Sequence, residues 1–203
     1  MENAKIVIAG VGAGGIGVAK MLLRAGAKNI IMVDSKGAIY DGRKDNMNPY
    51  KEKFSRLTNP NKLQGNIETV IQGADAFIGL TGKANSLTKE MVRSMAKDAI
   101  VFGLTNPEPD INPNDAKAAG ARIIGTGRSD FPNQINNSLV FPAIFRAVFD
   151  SRAKKITEKM TLAAAYALAD HIPKNKLNEN YIIPRMTDKT VRDKIVKPES
   201  RAI

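Results

Sequence analysis

Short apolar runs alternate along this chain with segments whose apolar residues recur at three- and four-residue spacing. Runs at 6–9, 30–33, 74–80, 99–105 and 121–125 are bounded by glycine, proline or polar residues, as strands buried on both faces are. A helical pattern follows Gly15, and shorter helices are expected at 50–57 and 67–71. At 87–96, Leu87, Met91, Val92 and Met95 share one helical face. Pro113 suits the first turn of a helix to residue 119, which Gly120 ends. A turn at Ser35-Lys36-Gly37 opens a polar stretch to about residue 61, and residues 125–137, GTGRSDFPNQINN, read as loop. Helices at 142–149 and 151–168 follow. Beyond residue 172, Pro173, Pro184, Pro198 and many charges mark an irregular tail with one short helix near 189–195. Strands alternating with helices predict an α/β fold, with a parallel sheet, right-handed crossovers and helices on both faces. The expected division is a domain at 1–172 and a tail at 173–203.

Residues 5–34, KIVIAGVGAGGIGVAKMLLRAGAKNIIMVD, organise the rest. They read as strand, glycine-rich turn, helix, strand and acid, which is the dinucleotide-binding fingerprint in its structural context. Gly10 permits the tight turn. Gly12 lacks a Cβ, so a pyrophosphate can approach the backbone, and Gly15 lets the helix lie close to the strand. The phosphates then face the free amides and positive end of the helix. Asp34 follows the last glycine by about 20 residues, where its carboxylate can accept from ribose hydroxyls. The fingerprint specifies a Rossmann-type doubly wound parallel sheet with flanking helices and an irregular C-terminal tail. A core strand beginning at residue 4 or 5 is read as leaving nothing ahead of the nucleotide-binding unit.

Composition narrows the function. The chain has 203 residues, 43% of them apolar and 25% charged, as an ordinary soluble globular protein does. No apolar run approaches the ~20 residues of a membrane span. The N-terminus enters a core strand too early to be a signal peptide. With no cysteine, disulfides, thiolate metal sites and a cysteine nucleophile are excluded, and a cytoplasmic location is expected. A net charge of +11 raises the question of nucleic acid. The cations are scattered, however, tryptophan is absent and aromatics are few. The charge reads as solvated surface with some attraction for anionic cofactor and substrate, so neither nucleic acid nor membrane is an expected partner.

Ligands of parallel α/β sheets bind outside the carboxyl ends of the strands. The Gly10 loop, Asp34, Thr81-Gly82, Asn106 and the loop from Gly125 all fall on that edge. Asn106, between a buried strand and Pro107, has a carboxamide that donates and accepts. It suits a nicotinamide carboxamide or a substrate hydroxyl, or equally a plain turn. Asn136-Asn137 precede an apolar helix, and with Arg128 they form a plausible cradle for a small carboxylate. The competing reading makes Asn137 a helix cap and pairs Arg128 with Asp130. His171, the single histidine, reads as a surface or helix-end residue. Hydride transfer from a hydroxy acid needs a general base, and none of these loops offers an obvious Lys, His or Tyr. Nor is there a tight carboxylate cluster for a divalent metal. The chain therefore reads as a cofactor domain whose active site is completed elsewhere.

GVGAGGIG, VDSKGAIYDGR, NPYKEKF, NPEPDI, GTGRSDFPNQINN and FPAIFRAVFD closely resemble the NAD(P)-binding domain of malic enzymes of the short bacterial and archaeal type. The resemblance runs over about residues 3–185, and NPEP followed by GRSDFPNQINN is its most specific part. It implies oxidative decarboxylation of malate to pyruvate and CO2 with NAD or NADP and Mg2+ or Mn2+. Gly10, Gly12, Ala13, Gly14, Gly15, Ile16 and Asp34 match cofactor positions, and Thr81-Gly82 match a contact loop. Asn106 and Asn137 match asparagines that contact malate and the nicotinamide side, and Asn136 matches a neighbour. In the family the general-base lysine, the tyrosine acid and the metal carboxylates lie upstream of the glycine loop. No residue here fills those roles, so a missing N-terminal catalytic domain is expected as partner and the chain alone is expected to be inactive. Asp110 stands where the family often has glutamate, and Phe131 where it often has tyrosine. Asp34 favours NAD by repelling a 2′-phosphate, whereas Ser35, Lys36 and Lys51 resemble the NADP pattern; the balance leans slightly to NAD. A homodimer is a further expectation. A malolactic-type enzyme and a non-catalytic NAD(P)-binding regulatory module are the alternatives.

Overall fold

The computed structural model describes residues 1–201. Six strands form one sheet: β1 (Lys5–Ala9), β2 (Asn29–Asp34), β3 (Gly37–Ala38), β4 (Ala76–Gly79), β5 (Ile100–Gly103) and β6 (Ile123–Thr126). Their order is β3-β2-β1-β4-β5-β6. All neighbours are parallel except β2 and β3, which are antiparallel. The five expected strands are present. The sixth, β3, falls at the end of the expected turn, where Gly37 and Ala38 pair back on Asp34 and Val33. Two residues are too few for an apolar pattern to mark.

The sheet is buried on both faces because its strands are apolar at nearly every position. Val7, Ala9, Ile31, Val33, Phe77 and Val101 enter one core layer, and Ile6, Ile8, Ile30, Met32 and Ile78 enter the other. The two-residue period of a strand sends successive side chains to opposite layers. Helix α1 (Ala13–Arg24) and α2 (Pro49–Leu57) cover the second layer through Ala19, Leu22, Leu23 and Phe54. The short helices α3 (Ile67–Val70), α4 (Lys89–Ser94) and α5 (Pro113–Ala118) cover the first through Val70, Met91, Val92 and Ala116. Side chains cap most starts: Asn48 for α2, Asn66 for α3, Thr88 for α4 and Asn112 for α5.

The chain divides into two compact units, Met1–Gly127 and the residues from Arg128 on. The edge expected at residues 172 and 173 lies inside the second unit. The reason is packing among α6 (Phe141–Ser151), α7 (Glu158–Ala169) and α8 (Thr190–Arg201). Ala143, Ala164, Ala167, Val191 and Ile195 form their shared cluster, with alanines letting the helices approach. The final helix is longer than expected. The α7 helix begins later than its pattern suggests. Arg152, at φ 54°, ends α6 in the left-handed region, and Thr157 caps α7 by accepting from the Met160 amide at 3.2 Å. The segment before α8 is irregular but held. Asn133 donates to the Glu179 carbonyl at 2.8 Å and accepts from the Ile182 amide at 3.0 Å. His171, just past α7, meets Asp188 at 2.8 Å, a helix-end role. Phe141, Phe145 and Phe149 line α6 at four-residue spacing and are exposed. The first two rings stack edge to face at 4.7 Å. Among the described residues no helix is long and apolar enough to cross a membrane.

Candidate dinucleotide site

Strand order reverses between β1 and β4, and the loops following these two strands meet. The Leu80 amide donates to the Ala9 carbonyl at 2.7 Å, and the Gly10 amide donates to the Val33 carbonyl at 2.8 Å. Gly10 has φ +106°, and a Cβ there would overlap the Leu80 carbonyl. A Cβ on Gly15 would overlap the Gly10 carbonyl oxygen and come 3.6 Å from Ile8. Glycine at 15 is therefore required by backbone-on-backbone packing, which draws the start of α1 against the end of β1. Gly12 differs. A Cβ there meets nothing within 4 Å, so the space over the helix start is open.

That open space lies above free donors. The first intrahelical bond of α1 runs from Ile16 to Gly12 at 3.0 Å, which leaves the amides of Ala13, Gly14 and Gly15 without intrahelical partners. No side chain caps α1 and no acid lies in its first turn. An uncapped twelve-residue helix facing open space at the reversal of a parallel sheet fits a pyrophosphate, through both its amides and its dipole.

Asp34 ends β2 with its side chain only 7% exposed. Its Oδ1 accepts from Arg43 at 2.8 Å and from the Lys36 amide at 2.8 Å. Its Oδ2 accepts from Lys51 Nζ at 2.6 Å and from Asn46 at 3.1 Å. Burial pushes the Asp34 pKa up, but the bonds from Lys51, Arg43 and the Lys36 amide outweigh it and hold the group below its ordinary value. Four donors fill the acceptor directions of a carboxylate, so Asp34 has no lone pair spare for ribose hydroxyls. Two cations, Arg43 and Lys51, thus lie against its charge. The sequence reading missed Arg43 and Asn46. Both lie within IYDGRKDN, a polar stretch whose lone arginine nine residues past the acid was the available signal. Beside this cluster a cavity of about 250 Å³ is lined by Lys36, Tyr40, Arg43, Lys44 and Gln64. Ser35 and Lys36 are exposed.

The remaining first-unit candidates lie on the same edge. Thr81 and Gly82 follow β4 and are exposed; the Gly82 amide donates to Thr105 Oγ1 at 3.3 Å. Asn106 follows β5, exposed, with a weak bond to the Leu104 carbonyl at 3.4 Å. A Cβ on Gly127 would stand 3.0 Å from its side-chain oxygen.

Asn136 and Asn137 belong to the second unit. Asn136, not Asn137, is the cap: its Oδ1 accepts from the Ser138 amide at 3.0 Å and starts a 3₁₀ turn over Asn137–Leu139. Asn137 is exposed, with no side-chain hydrogen bond among the described residues. Arg128 pairs with Asp130 through two bonds of 2.9 and 2.8 Å and lies 5.6 Å from the Phe131 ring centroid. The ion-pair reading of Arg128 is the one realised. Among the described residues no group of three or more His, Asp or Glu side chains is placed to hold a metal.

Comparison with known proteins agrees with this geometry. The family described as malic enzyme, NAD binding domain, matches residues 1–196. The chain belongs to that family. It is 48% identical over 202 residues to the bifunctional malic/malolactic enzyme of Bacillus subtilis, covering all of this chain and 49% of that protein. It is 47% identical to the NAD-dependent malic enzyme of Geobacillus stearothermophilus, over 96% of this chain and 40% of that one. An NADP-dependent malic enzyme of Halomonas elongata is 45% identical over 84% of the chain. The crystal structure of the NAD-dependent malic enzyme of Thermotoga maritima superposes with a TM-score of 0.93 at 38% identity, covering 98% of this chain and 52% of that one. The chain thus spans about half, or less, of the length of these malic enzymes. A nucleotide-binding domain of the malic enzyme family accounts for the glycine loop, the strand order and the open helix start together.

Proposed function

We propose that this chain is the cofactor-holding part of an enzyme that oxidatively decarboxylates malate to pyruvate and CO2. The observation that carries the reading is the uncapped start of α1, open above Gly12, at the sheet's reversal point. The Ala13, Gly14 and Gly15 amides hold the pyrophosphate, and the loops at Thr81–Gly82 and Asn106 flank the nicotinamide end. Asn137, exposed in the second unit, has a carboxamide suited to malate. A bound nicotinamide would supply the hydride acceptor for C2 of malate. The chain's own residues bind and orient, which is where much of the barrier reduction in such a transfer arises. The base, the acid and the carboxylates for Mg2+ or Mn2+ come from the remainder of the complete enzyme, in keeping with a chain that spans about half, or less, of the length of its malic-enzyme relatives.

With Asp34 neutralised, NAD and NADP are both accommodated, and Lys51 sets the balance between them. Lys51→Met would leave Asp34 half-compensated and penalise the 2′-phosphate, lowering NADP+ affinity about tenfold more than NAD+ affinity. A malolactic outcome, in which lactate is released, is a second reading favoured by the likeness to the Bacillus subtilis bifunctional protein. Product analysis of a complete enzyme separates the two.

Calorimetric titration with NAD+ and NADP+, each with and without malate and Mn2+, tests the main reading. Saturable heat from either dinucleotide, unaffected by malate, is the expected result. Silence from both would overturn the assignment of an autonomous dinucleotide site.

A further inference from the structure

A wholly buried carboxylate lies beneath this edge of the sheet. Asp110 has no exposed surface. Gly79 of β4 and Gly103 of β5 are paired neighbours. A Cβ on Gly79 would overlap the Asp110 carboxylate, and one on Gly103 would stand 3.4 Å from the Asp110 amide nitrogen. The two missing side chains open a bay in the sheet surface, and Pro109-Asp110 fills it.

Inside the bay the carboxylate ties two loops together. Its Oδ1 accepts from Ser86 Oγ at 2.8 Å and lies 3.1 Å from Thr81 Oγ1. Its Oδ2 accepts from the Thr105 amide at 3.1 Å. Thr105 Oγ1 in turn accepts from the Gly82 amide. Backbone bonds from Asn85 to the Pro109 carbonyl and from Leu87 to the Asp110 carbonyl close the same loop onto the same segment. The donors to the carboxylate are two hydroxyls and an amide, with no cation among them. A buried carboxylate without a cation is costly, and apolar residues would fill such a bay more stably. An apolar filler, however, would leave the Thr105 amide unpaired and take from Ser86 its short acceptor. What the carboxylate adds is a fixed relation between the 81–86 loop and the 105–106 loop.

We propose that Asp110 is the positioning residue of the dinucleotide site, holding Thr81–Gly82 and Asn106 where a bound nicotinamide end would meet them. The inference rests on the dinucleotide reading above. Asp110 touches no ligand itself and acts through the loops it anchors.

The test pairs amide hydrogen exchange on the free chain with dinucleotide titration. In Asp110→Asn, exchange at residues 82–86 and 105 rises about tenfold or more, while amides of β1 and β2 stay protected. Affinity for NAD+ and NADP+ falls about tenfold. Gly79→Ala, which leaves Asp110 in the sequence but displaces its carboxylate, gives the same pattern. Asp75→Asn is the control. Asp75 accepts from the Lys5 amide at the opposite end of β1, so its loss weakens the fold without changing affinity. If Asp110→Asn does not fold, Ser86→Ala and Thr81→Val each remove one hydroxyl and weaken affinity by about two- to threefold. Unchanged loop exchange in a folded Asp110→Asn or Gly79→Ala chain, or unchanged affinity in these variants, overturns the proposal. If the unsubstituted chain binds neither dinucleotide, the site reading fails, and the exchange data still decide whether Asp110 fixes the loops.

Discussion

At the scale of single residues, Gly12 and Gly15 do different work although one motif contains both. A side chain at Gly15 strikes the Gly10 carbonyl, whereas one at Gly12 enters open space. Gly12→Val should therefore keep the melting temperature within a few degrees and abolish dinucleotide binding, as titration would report. Gly15→Ala should destabilise the fold itself, by about 2 kcal/mol or more, because backbone cannot yield to the added methyl. Equal stability for the two variants would sink this distinction. The glycine spacing was legible in sequence, but the division of labour was not, since it depends on what lies across each Cα. Asp34 shows the same limit. Its place after β2 was readable. Its capture by Arg43 and Lys51 was not, because those cations come from a stretch with no periodicity to place them. Removing one partner of so buried a pair is costly, and Arg43→Ala should lower unfolding free energy by about 3 kcal/mol in denaturant titration.

At the scale of elements, the strands were readable because a sheet covered on both faces needs unbroken apolar runs. Phe77, fully buried on β4, should cost about 3–5 kcal/mol when truncated to alanine, measured by chemical unfolding. The helices of the second unit were harder to bound. Their patterns run together, and only Arg152 in a left-handed conformation and the Thr157 cap separate α6 from α7. Besides their apolar packing, α7 and α8 share a polar contact that is sensitive to acid. Asp188 joins the two by accepting from Thr190 and meeting His171. Those bonds, that of Thr190 first, lower its pKa to about 2. The unfolded chain then takes up a proton before the native one as pH falls. The stabilisation is complete above about pH 4 and disappears between about 4 and 2. Acid unfolding followed by circular dichroism should show Asp188→Asn less stable than the parent at pH 6. The two should converge toward pH 2, and a constant gap would contradict the linkage. The exposed phenylalanines of α6 form an apolar surface along one helix. Phe149→Lys should reduce binding of an apolar dye with little change in melting temperature.

At the scale of the whole molecule, five loops scattered through the first 127 residues reach one edge of one sheet because the sheet is parallel. Spacing and alternation made that gathering predictable. The placing of Asn136 and Asn137 in a separate compact unit was not, since the GTGRSDFPNQINN stretch that contains the boundary has few apolar residues and no periodicity. The net charge of +11 gives the chain a weak, salt-dependent attraction for anions. The meeting of β1 with β4 carries one more consequence, in time. The Lys5 amide bonds Asp75 across 70 residues of chain, and the Gly10 turn is completed only when Leu80 arrives beside it. Local pieces such as α1 and the β1–β2 pair can form early, while a pairing of that separation is slow to close. In a refolding experiment, far-ultraviolet ellipticity should therefore return ahead of the capacity to bind a dinucleotide, and the delay between the two signals would time the closing of the sheet's centre.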